Sequence, residues 1–314
     1  MRGSRAIAGA ACLAWASAAA AAQEAHGPTA APDEFLGGVV AESRILYPLQ
    51  VGSWMAESEH RYPDQRLGVS VRYVDNLKQR WIDLYFYPAG PQVAQMLAAV
   101  SASERVSIGL AARAEARTAE FGDLAPLTLG GPGADAAGVP AWELGLRYRG
   151  EGLASAMLLF ARQMYLVKAR ASAAEPPATV GSLQGELRAF MESVADRVRI
   201  ASTGTCWLPA RIELVPRLPD PQQALASYRD GDEVAAVVLG DRALVATGQA
   251  DRATEIAAQL AGSLYPGCVA PELIEPEVPP ALREIRIEYR RPQRAPDLRA
   301  PPAASPHAPS RATG

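Results

Sequence analysis

The residue that first suggests chemistry is Asp83, because it interrupts residues 80–88, the densest apolar and aromatic stretch of the sequence. Period-two alternation with aromatic enrichment predicts a strand. That alternation places Trp81 and Tyr85 on the same side of the strand as Asp83. Because neither side is plainly polar, the pattern predicts a central strand that is covered on both faces.

A buried carboxylate is costly unless a cation lies beside it, so Asp83 needs a partner. Lys168 and Arg170 lie on a later predicted strand and supply the required charge. The predicted ligand-binding residues are therefore Asp83, Trp81, Tyr85, Lys168 and Arg170, a polar site in an aromatic surround that suits a charged ligand. The alternative interpretation is a structural salt bridge or an exposed aspartate at the end of a strand.

Signatures of catalysis are scarce. The sequence lacks a Gly-x-Ser-x-Gly nucleophile elbow, and His60 lies in a charged run typical of solvated surface. Zinc needs three or four convergent ligands, which no spacing of histidines and cysteines supplies. We predict no catalytic residue, no metal and no cofactor, and a binding protein rather than an enzyme. A hydrolase that uses a pair of acids near Asp83 is the alternative.

The N-terminal residues 1–22 have the three parts of a secretory signal peptide. Arg2 and Arg5 form a positive start, residues 6–20 are apolar, and residues 18–22 offer small side chains for cleavage. A lipoprotein signal acylated at Cys12 is the alternative. No other stretch is long and apolar enough to predict a membrane-spanning helix in the mature protein. We predict a periplasmic or secreted protein of a Gram-negative bacterium.

The cysteine content agrees with that compartment. Only Cys206 and Cys268 follow the signal peptide, and two cysteines in an oxidising compartment predict one disulfide.

The net charge of the whole chain is −3, and loss of Arg2 and Arg5 with the signal peptide makes it more negative. This charge argues against a nucleic-acid partner, so another envelope protein or a small ligand is the expected partner.

Composition and periodicity divide the mature chain into four parts. Residues 23–40 read as a polar linker, and residues 41–200 as an antiparallel α+β domain. Residues 201–292 read as a small α+β domain with the disulfide. Residues 293–314 are rich in Pro, Ala and Arg without periodicity, which predicts a disordered tail.

The larger predicted domain is an antiparallel sheet packed by helices. Residues 67–74 and 80–88 predict a hairpin, residues 93–120 a helix, and residues 142–170 a three-stranded meander. Apolar residues at helical spacing over 180–198 predict an amphipathic helix that covers one face of the strand with Asp83.

The smaller predicted domain has the order β-α-β-β-α-β, as in ferredoxin-like folds. Its first helix is predicted over 220–228, where Asp220 and Pro221 form a helix-start signal. This topology conflicts with the disulfide, because a strand of about 23 Å would separate the two cysteines, whereas bridged Cα atoms lie within about 7 Å. Because the predicted export places the protein in an oxidising compartment, we favour the disulfide over the ferredoxin-like topology.

The order of elements from Trp54 to Ala201 resembles the PsbP-like α/β fold. The resemblance rests on the strand segments Gly68-Val69-Ser70-Val71-Arg72-Tyr73, Asp83-Leu84-Tyr85-Phe86-Tyr87-Pro88 and Leu166-Val167-Lys168-Ala169-Arg170, followed by the amphipathic helix. The chain also resembles uncharacterised exported proteins of Gram-negative bacteria. The resemblance covers about half of the chain and implies a non-enzymatic binding or assembly factor. It carries over no site residue, because fold alone does not determine function.

Overall fold

The computed structural model describes residues 36–290 apart from 79, 131–137, 177, 207–210, 222–223, 240–241, 275–276 and the side chains of 261–262. The predicted signal peptide 1–22, most of the linker and the predicted tail 293–314 lie outside the described residues.

The described part contains fifteen strands and three α-helices. The strands are β1 Val40–Pro48, β2 Gln50–Val51, β3 Trp54–Arg61, β4 Val69–Asp75, β5 Arg80–Pro88, β6 Ala119–Leu129, β7 Val139–Tyr148, β8 Leu153–Arg162, β9 Tyr165–Ala174, β10 Arg199–Gly204, β11 Arg211–Val215, β12 Ala226–Asp230, β13 Glu233–Leu239, β14 Arg242–Ala246 and β15 Leu282–Glu288. The helices are α1 Ala94–Ala114, α2 Val180–Arg197 and α3 Ala253–Leu264, with short 3₁₀ turns at Gln65–Leu67, Thr247–Arg252 and Pro271–Leu273. The chain is therefore of the α+β class.

An eight-stranded sheet forms the largest layer, in the order β2-β3-β4-β5-β9-β8-β7-β6. All of its paired strands are antiparallel. The predicted β4–β5 hairpin and the β7–β8–β9 meander are both present. Strand β5 lies inside the sheet, between β4 and β9, as its apolar sequence requires.

Helix α2 covers one face of this sheet. It begins with a capping box in which the Thr179 hydroxyl accepts from the Ser182 amide at 3.1 Å, and the Ser182 hydroxyl accepts from the Thr179 amide at 3.0 Å. Its buried side chains Leu183, Leu187 and Phe190 belong to the same core as Ile82, Leu84 and Phe86 of β5. The helix packs mainly on β8, β7 and β9, so it shares a core with β5 but does not lie directly over that strand as predicted.

A three-stranded sheet, β10-β1-β15, packs against the same core. A buried hydroxyl contact between Tyr165 of β9 and Tyr289, just after β15, connects the two sheets. Within the three-stranded sheet, the Ser43 hydroxyl of β1 contacts the Ser202 hydroxyl of β10 at 2.7 Å. Leu36 and Val40 are 5% and 1% exposed. The end of the predicted linker is therefore part of the core, because these apolar side chains pack against it.

A four-stranded sheet, β11-β14-β13-β12, carries α3 on one face. The predicted helix over 220–228 is wrong at its end, because β12 occupies residues 226–228. Ala226 and Tyr228 pack against the α3 cluster, while Ser227 and Arg229 point the other way, which is period-two packing.

The predicted β-α-β-β-α-β order is also wrong. Strand β15 pairs with β1 rather than with the four-stranded sheet, and β10 pairs with the other side of β1. Long-range pairing to β1 thus draws both ends of the C-terminal segment into the three-stranded sheet. The limits 41–200 and 201–292 of the two domains stay a prediction.

Helix α1 is shorter than the predicted helix over 93–120. It ends near Ala116, whose positive φ of 56° breaks the helical path, and the Arg117 amide closes the end on the Ala112 carbonyl at 2.8 Å. Strand β6 follows and pairs with β7 at the edge of the large sheet. Helix α1 packs on β6, β7 and β8, on the face opposite α2.

Candidate functional site

Strand β5 presents different chemistry to the two faces of the sheet. Ile82, Leu84 and Phe86 are fully buried in the core below α2. On the other face, Trp81, Asp83 and Tyr85 are half-buried. The prediction of a strand covered on both faces is therefore wrong for this part of β5.

The partial cover follows from the position of α1. Tyr87, at the end of β5, packs against Leu97 and Val100 of α1 and is buried. Because α1 lies over β6, β7 and β8, the neighbouring part of β4, β5 and β9 keeps partly exposed side chains. We call this surface the open strip, and define it by the partly exposed residues Tyr62, Arg72, Trp81, Asp83, Tyr85 and Arg170, with the buried Lys168 beneath them.

Asp83 pairs with Arg72 across the β4–β5 hairpin. The guanidinium donates to both carboxylate oxygens, Nε to Oδ1 at 2.7 Å and Nη2 to Oδ2 at 2.9 Å. The two side chains are 20% and 32% exposed. A bidentate pair of this kind fixes the direction of the carboxylate, so Asp83 is suited to orienting a bound group.

Arg72 was missed as the partner of Asp83, although the hairpin itself contains the signal. In the observed register of the hairpin, Asp75 lies opposite Arg80 and Arg72 lies opposite Asp83. Counting three residues back along β4 from Asp75 and three forward along β5 from Arg80 therefore gives this pair. Arg170 lies opposite Asp83 on the other side, in β9, and its Nη2 donates to the Ser155 hydroxyl at 3.1 Å. The structure thus brings the predicted residues together but adds Arg72.

Lys168 is buried beneath the strip, with a side chain that is 5% exposed. Its ammonium donates to Glu104 of α1 at 2.9 Å and lies 5.1 Å and 4.7 Å from the ring centroids of Tyr85 and Tyr87. These are cation–π distances. Glu104 was also missed, because only the packing of α1 on the sheet brings it to β9.

Aromatic rings form the rest of the strip. The rings of Tyr85 and Tyr87 are stacked, with centroids 5.7 Å apart and an interplanar angle of 5°, and the Arg72 guanidinium lies 5.6 Å from the Trp81 centroid. Burial raises the pKa of the Tyr85 phenol, the charge of Asp83 raises it further, and the charge of Lys168 opposes them. Tyr85 is therefore a neutral hydrogen-bonding group at physiological pH.

Tyr62 is a strip residue that the sequence analysis missed. Its hydroxyl lies 3.5 Å from that of Ser70, and its ring contacts His60 edge-on, with centroids 4.5 Å apart. Burial raises the pKa of Tyr62, the Ser70 hydroxyl lowers it, and the charges of Asp83 and Lys168 act in opposite directions. Tyr62 therefore lies within electrostatic range of Asp83, Lys168 and Arg72.

The predicted disulfide is present: the sulfurs of Cys206 and Cys268 are bonded, with Cα atoms 6.0 Å apart. Ser202 of β10 forms a β-bridge with Cys268, so the segment after α3 returns to the three-stranded sheet. This return explains how the two cysteines meet, although the predicted β-α-β-β-α-β topology would have kept them apart. The predicted disulfide is present, and the predicted topology is wrong.

Within the described part of the chain, no group of three or more His, Cys, Asp or Glu residues has an arrangement that could hold a metal ion. His60, the histidine on which a triad would depend, lies exposed on β3. No helix of the described residues is long and apolar enough to cross a membrane.

No protein-family model and no curated protein matches the chain. Among solved structures, the chain is similar to the solution structure of the cyanobacterial PsbP protein, CyanoP, from Synechocystis sp. PCC 6803. The match covers 52% of this chain and 94% of that chain, at 12% sequence identity and a TM-score of 0.33. It agrees with the PsbP-like resemblance of the element order, and at this TM-score it supports no inference about function.

Proposed function

We propose that this chain is a non-catalytic binding module exported to the bacterial envelope, periplasmic or secreted, and that it binds its ligand or partner on the open strip. One observation carries the proposal: half-buried aromatic rings alternate with ion-paired charges on a sheet face that α1 leaves uncovered. Aromatic rings give contact area, and fixed polar groups give orientation, which is the usual composition of a ligand site.

Two features support the proposed compartment. The predicted signal peptide, residues 1–22, carries the charge and apolar pattern of export. The Cys206–Cys268 disulfide is typical of oxidising compartments. Another envelope protein or a small ligand is the proposed partner.

The alternative function, a hydrolase acting through Asp83, has less support. A general base must be free to accept a proton from the substrate or from water. Each oxygen of Asp83 already accepts a hydrogen bond from Arg72, which leaves fewer lone pairs for a substrate or a water. The pairing favours recognition over catalysis.

The proposal is tested by thermal-shift screening of wild-type protein against envelope-derived peptides, glycans, lipids and small metabolites. Each hit is then titrated against Trp81→Ala and against Arg188→Gln, which removes a partly exposed arginine from α2 on the opposite face. We expect at least a tenfold loss of affinity in Trp81→Ala and no change in Arg188→Gln. Ligands that bind Trp81→Ala as well as wild type would contradict the assignment to the strip.

A further inference from the structure

The last residues that the structure describes lie near one end of the open strip. The Arg290 amide donates to Gln65 Oε1 at 3.1 Å, and Gln65 Nε2 donates to the Glu288 carbonyl at 2.8 Å. Gln65 is three residues after Tyr62, so the Cα atoms of these two residues are at most about 11 Å apart. The chain beyond Arg290 therefore starts close to Tyr62.

The half-buried aromatic side chains of the strip lead from that point along β5. The Tyr62 hydroxyl lies 3.5 Å from the Ser70 hydroxyl, and Ser70 lies opposite Tyr85 in the sheet. Trp81 lies on the same face of the same strand, about 14 Å from Tyr85. The path from Gln65 past Tyr62 and Tyr85 to Trp81 is therefore on the order of 30 Å long.

Residues 291–302, which follow Arg290 directly, have a composition that suits such a surface, and we call them the proline segment. Four of these twelve residues are proline, at positions 292, 296, 301 and 302. Proline-rich segments favour the extended polyproline II conformation and bind to surfaces lined with aromatic rings. Because the φ angle of proline is already fixed, such segments lose little conformational entropy on binding.

The length and the attachment of the proline segment allow it to reach the whole strip. At about 3.1 Å per residue, twelve residues in the polyproline II conformation span about 37 Å, which exceeds the path from Gln65 to Trp81. A segment that is tethered beside its binding site has an effective concentration on the order of millimolar. Weak contacts between prolines and aromatic rings are therefore enough to keep the segment bound.

Contacts between prolines and rings, rather than charge, should hold the segment. Its three arginines and one aspartate give it a net positive charge. The carboxylates of Asp83 and Glu104, however, already have the cationic partners Arg72 and Lys168. Binding should therefore depend little on salt, unlike binding between a basic segment and unpaired acids.

We propose that the proline segment lies along the open strip of its own chain, with prolines against the rings of Trp81 and Tyr85, and that an external ligand must displace it. This inference rests on the proposed binding function and adds its regulation. The strip is occupied from within the chain until a ligand of higher affinity competes for it.

The test compares the exported full-length protein with an alanine variant, in which all four prolines of the segment are replaced with alanine. A fluorescently labelled peptide of residues 291–302 is titrated with each protein, and fluorescence anisotropy measures binding. We expect the alanine variant to bind the peptide about tenfold more tightly than wild type, because the wild-type strip is already occupied. Adding Trp81→Ala to the alanine variant should weaken this binding at least tenfold, whereas adding Arg188→Gln should not change it.

A second measurement follows the segment within its own chain. Trypsin cleavage after Arg294 and Arg299, measured by mass spectrometry, should be at least fivefold faster in Trp81→Ala than in wild type or in Arg188→Gln. Melting curves establish whether Trp81→Ala is folded. If it is not, a photoreactive form of the peptide is cross-linked to the alanine variant, and the cross-links should map to the strip.

Equal peptide affinity in wild type and the alanine variant overturns the inference, as does absence of binding to the alanine variant. Cross-links that map outside the strip also overturn it. An affinity that falls more than tenfold when NaCl rises from about 0.05 M to about 0.5 M would show that charge holds the segment, which contradicts the proposal.

Two further outcomes separate this inference from others. Dimers of wild type that are absent from the alanine variant would place the segment on a second copy and would overturn the contact within one chain. If a screened ligand binds in a Trp81-dependent way while the peptide does not bind, this inference fails and the proposed binding function stands.

Discussion

The carboxylate of Asp83 and the guanidinium of Arg72 face each other across the β4–β5 hairpin and form two hydrogen bonds, at 2.7 and 2.9 Å. Asp83 would otherwise be a half-buried charge beside aromatic rings. The pair explains how a central strand tolerates an acid, and it fixes the direction in which Arg72 lies over Trp81.

Asp83→Asn should lower stability without removing any enzymatic activity. Because both partners are partly exposed, we expect a loss of about 1 kcal/mol, measured as a shift in urea midpoint. A double-mutant cycle with Arg72→Gln isolates the pair itself. Wild-type stability in Asp83→Asn would show that the pair contributes nothing. Hydrolase activity that disappears in a fully stable variant would support the alternative function instead.

Removal of the disulfide should destabilise the protein strongly. The bridge joins residues 62 positions apart, and the chain-entropy model gives about 4 kcal/mol for a loop of this length. Denaturation of the Cys206→Ser/Cys268→Ser variant should show this loss, and wild-type protein with a reductant should match the variant. If reductant affects the variant as much as the wild type, the loss has another cause.

The ion pair between β1 and β15 should make stability depend on acid pH. Arg44 donates to both oxygens of Glu284, at 2.8 and 2.7 Å. These bonds hold the pKa of Glu284 below its ordinary value, although burial opposes them. Since the folded pKa is lowered, the stabilisation is complete well above the unfolded value of about 4.3 and is lost as pH falls toward the folded pKa.

Urea denaturation from pH 7 to pH 3 measures this dependence. Glu284→Gln should be less stable than wild type at pH 7 and should lose less stability on acidification. Glu272→Gln is the control, because Glu272 is exposed on a 3₁₀ turn. The same acid slope in wild type and Glu284→Gln would show that other groups control the transition.

The start of α2 should depend on the Thr179 hydroxyl. Thr179→Ala removes the acceptor of the Ser182 amide, and the loss of an N-cap typically costs about 1 kcal/mol. Thr179→Ser keeps the oxygen and should stay close to wild type in thermal melts. Equal destabilisation by both variants would assign the effect to the lost methyl group rather than to the cap.

The sequence by itself determined the elements whose residues lie close together along the chain. Alternation predicted β5 and its hairpin, and apolar spacing predicted α2. Two cysteines after an export signal predicted the disulfide that the structure contains. In each of these elements the periodicity follows directly from strand or helix geometry.

Tertiary structure decided the features that depend on distant segments. Residues 226–230 became an edge strand because side chains of α3 pack on them, and β15 joined β1 across more than two hundred residues. In the site, Glu104 reached Lys168 only through the packing of α1. Local periodicity shows which face of an element is apolar, but not which element will cover it. For that reason the sequence pointed to Asp83, while the fold determined its partner and left one face of β5 open.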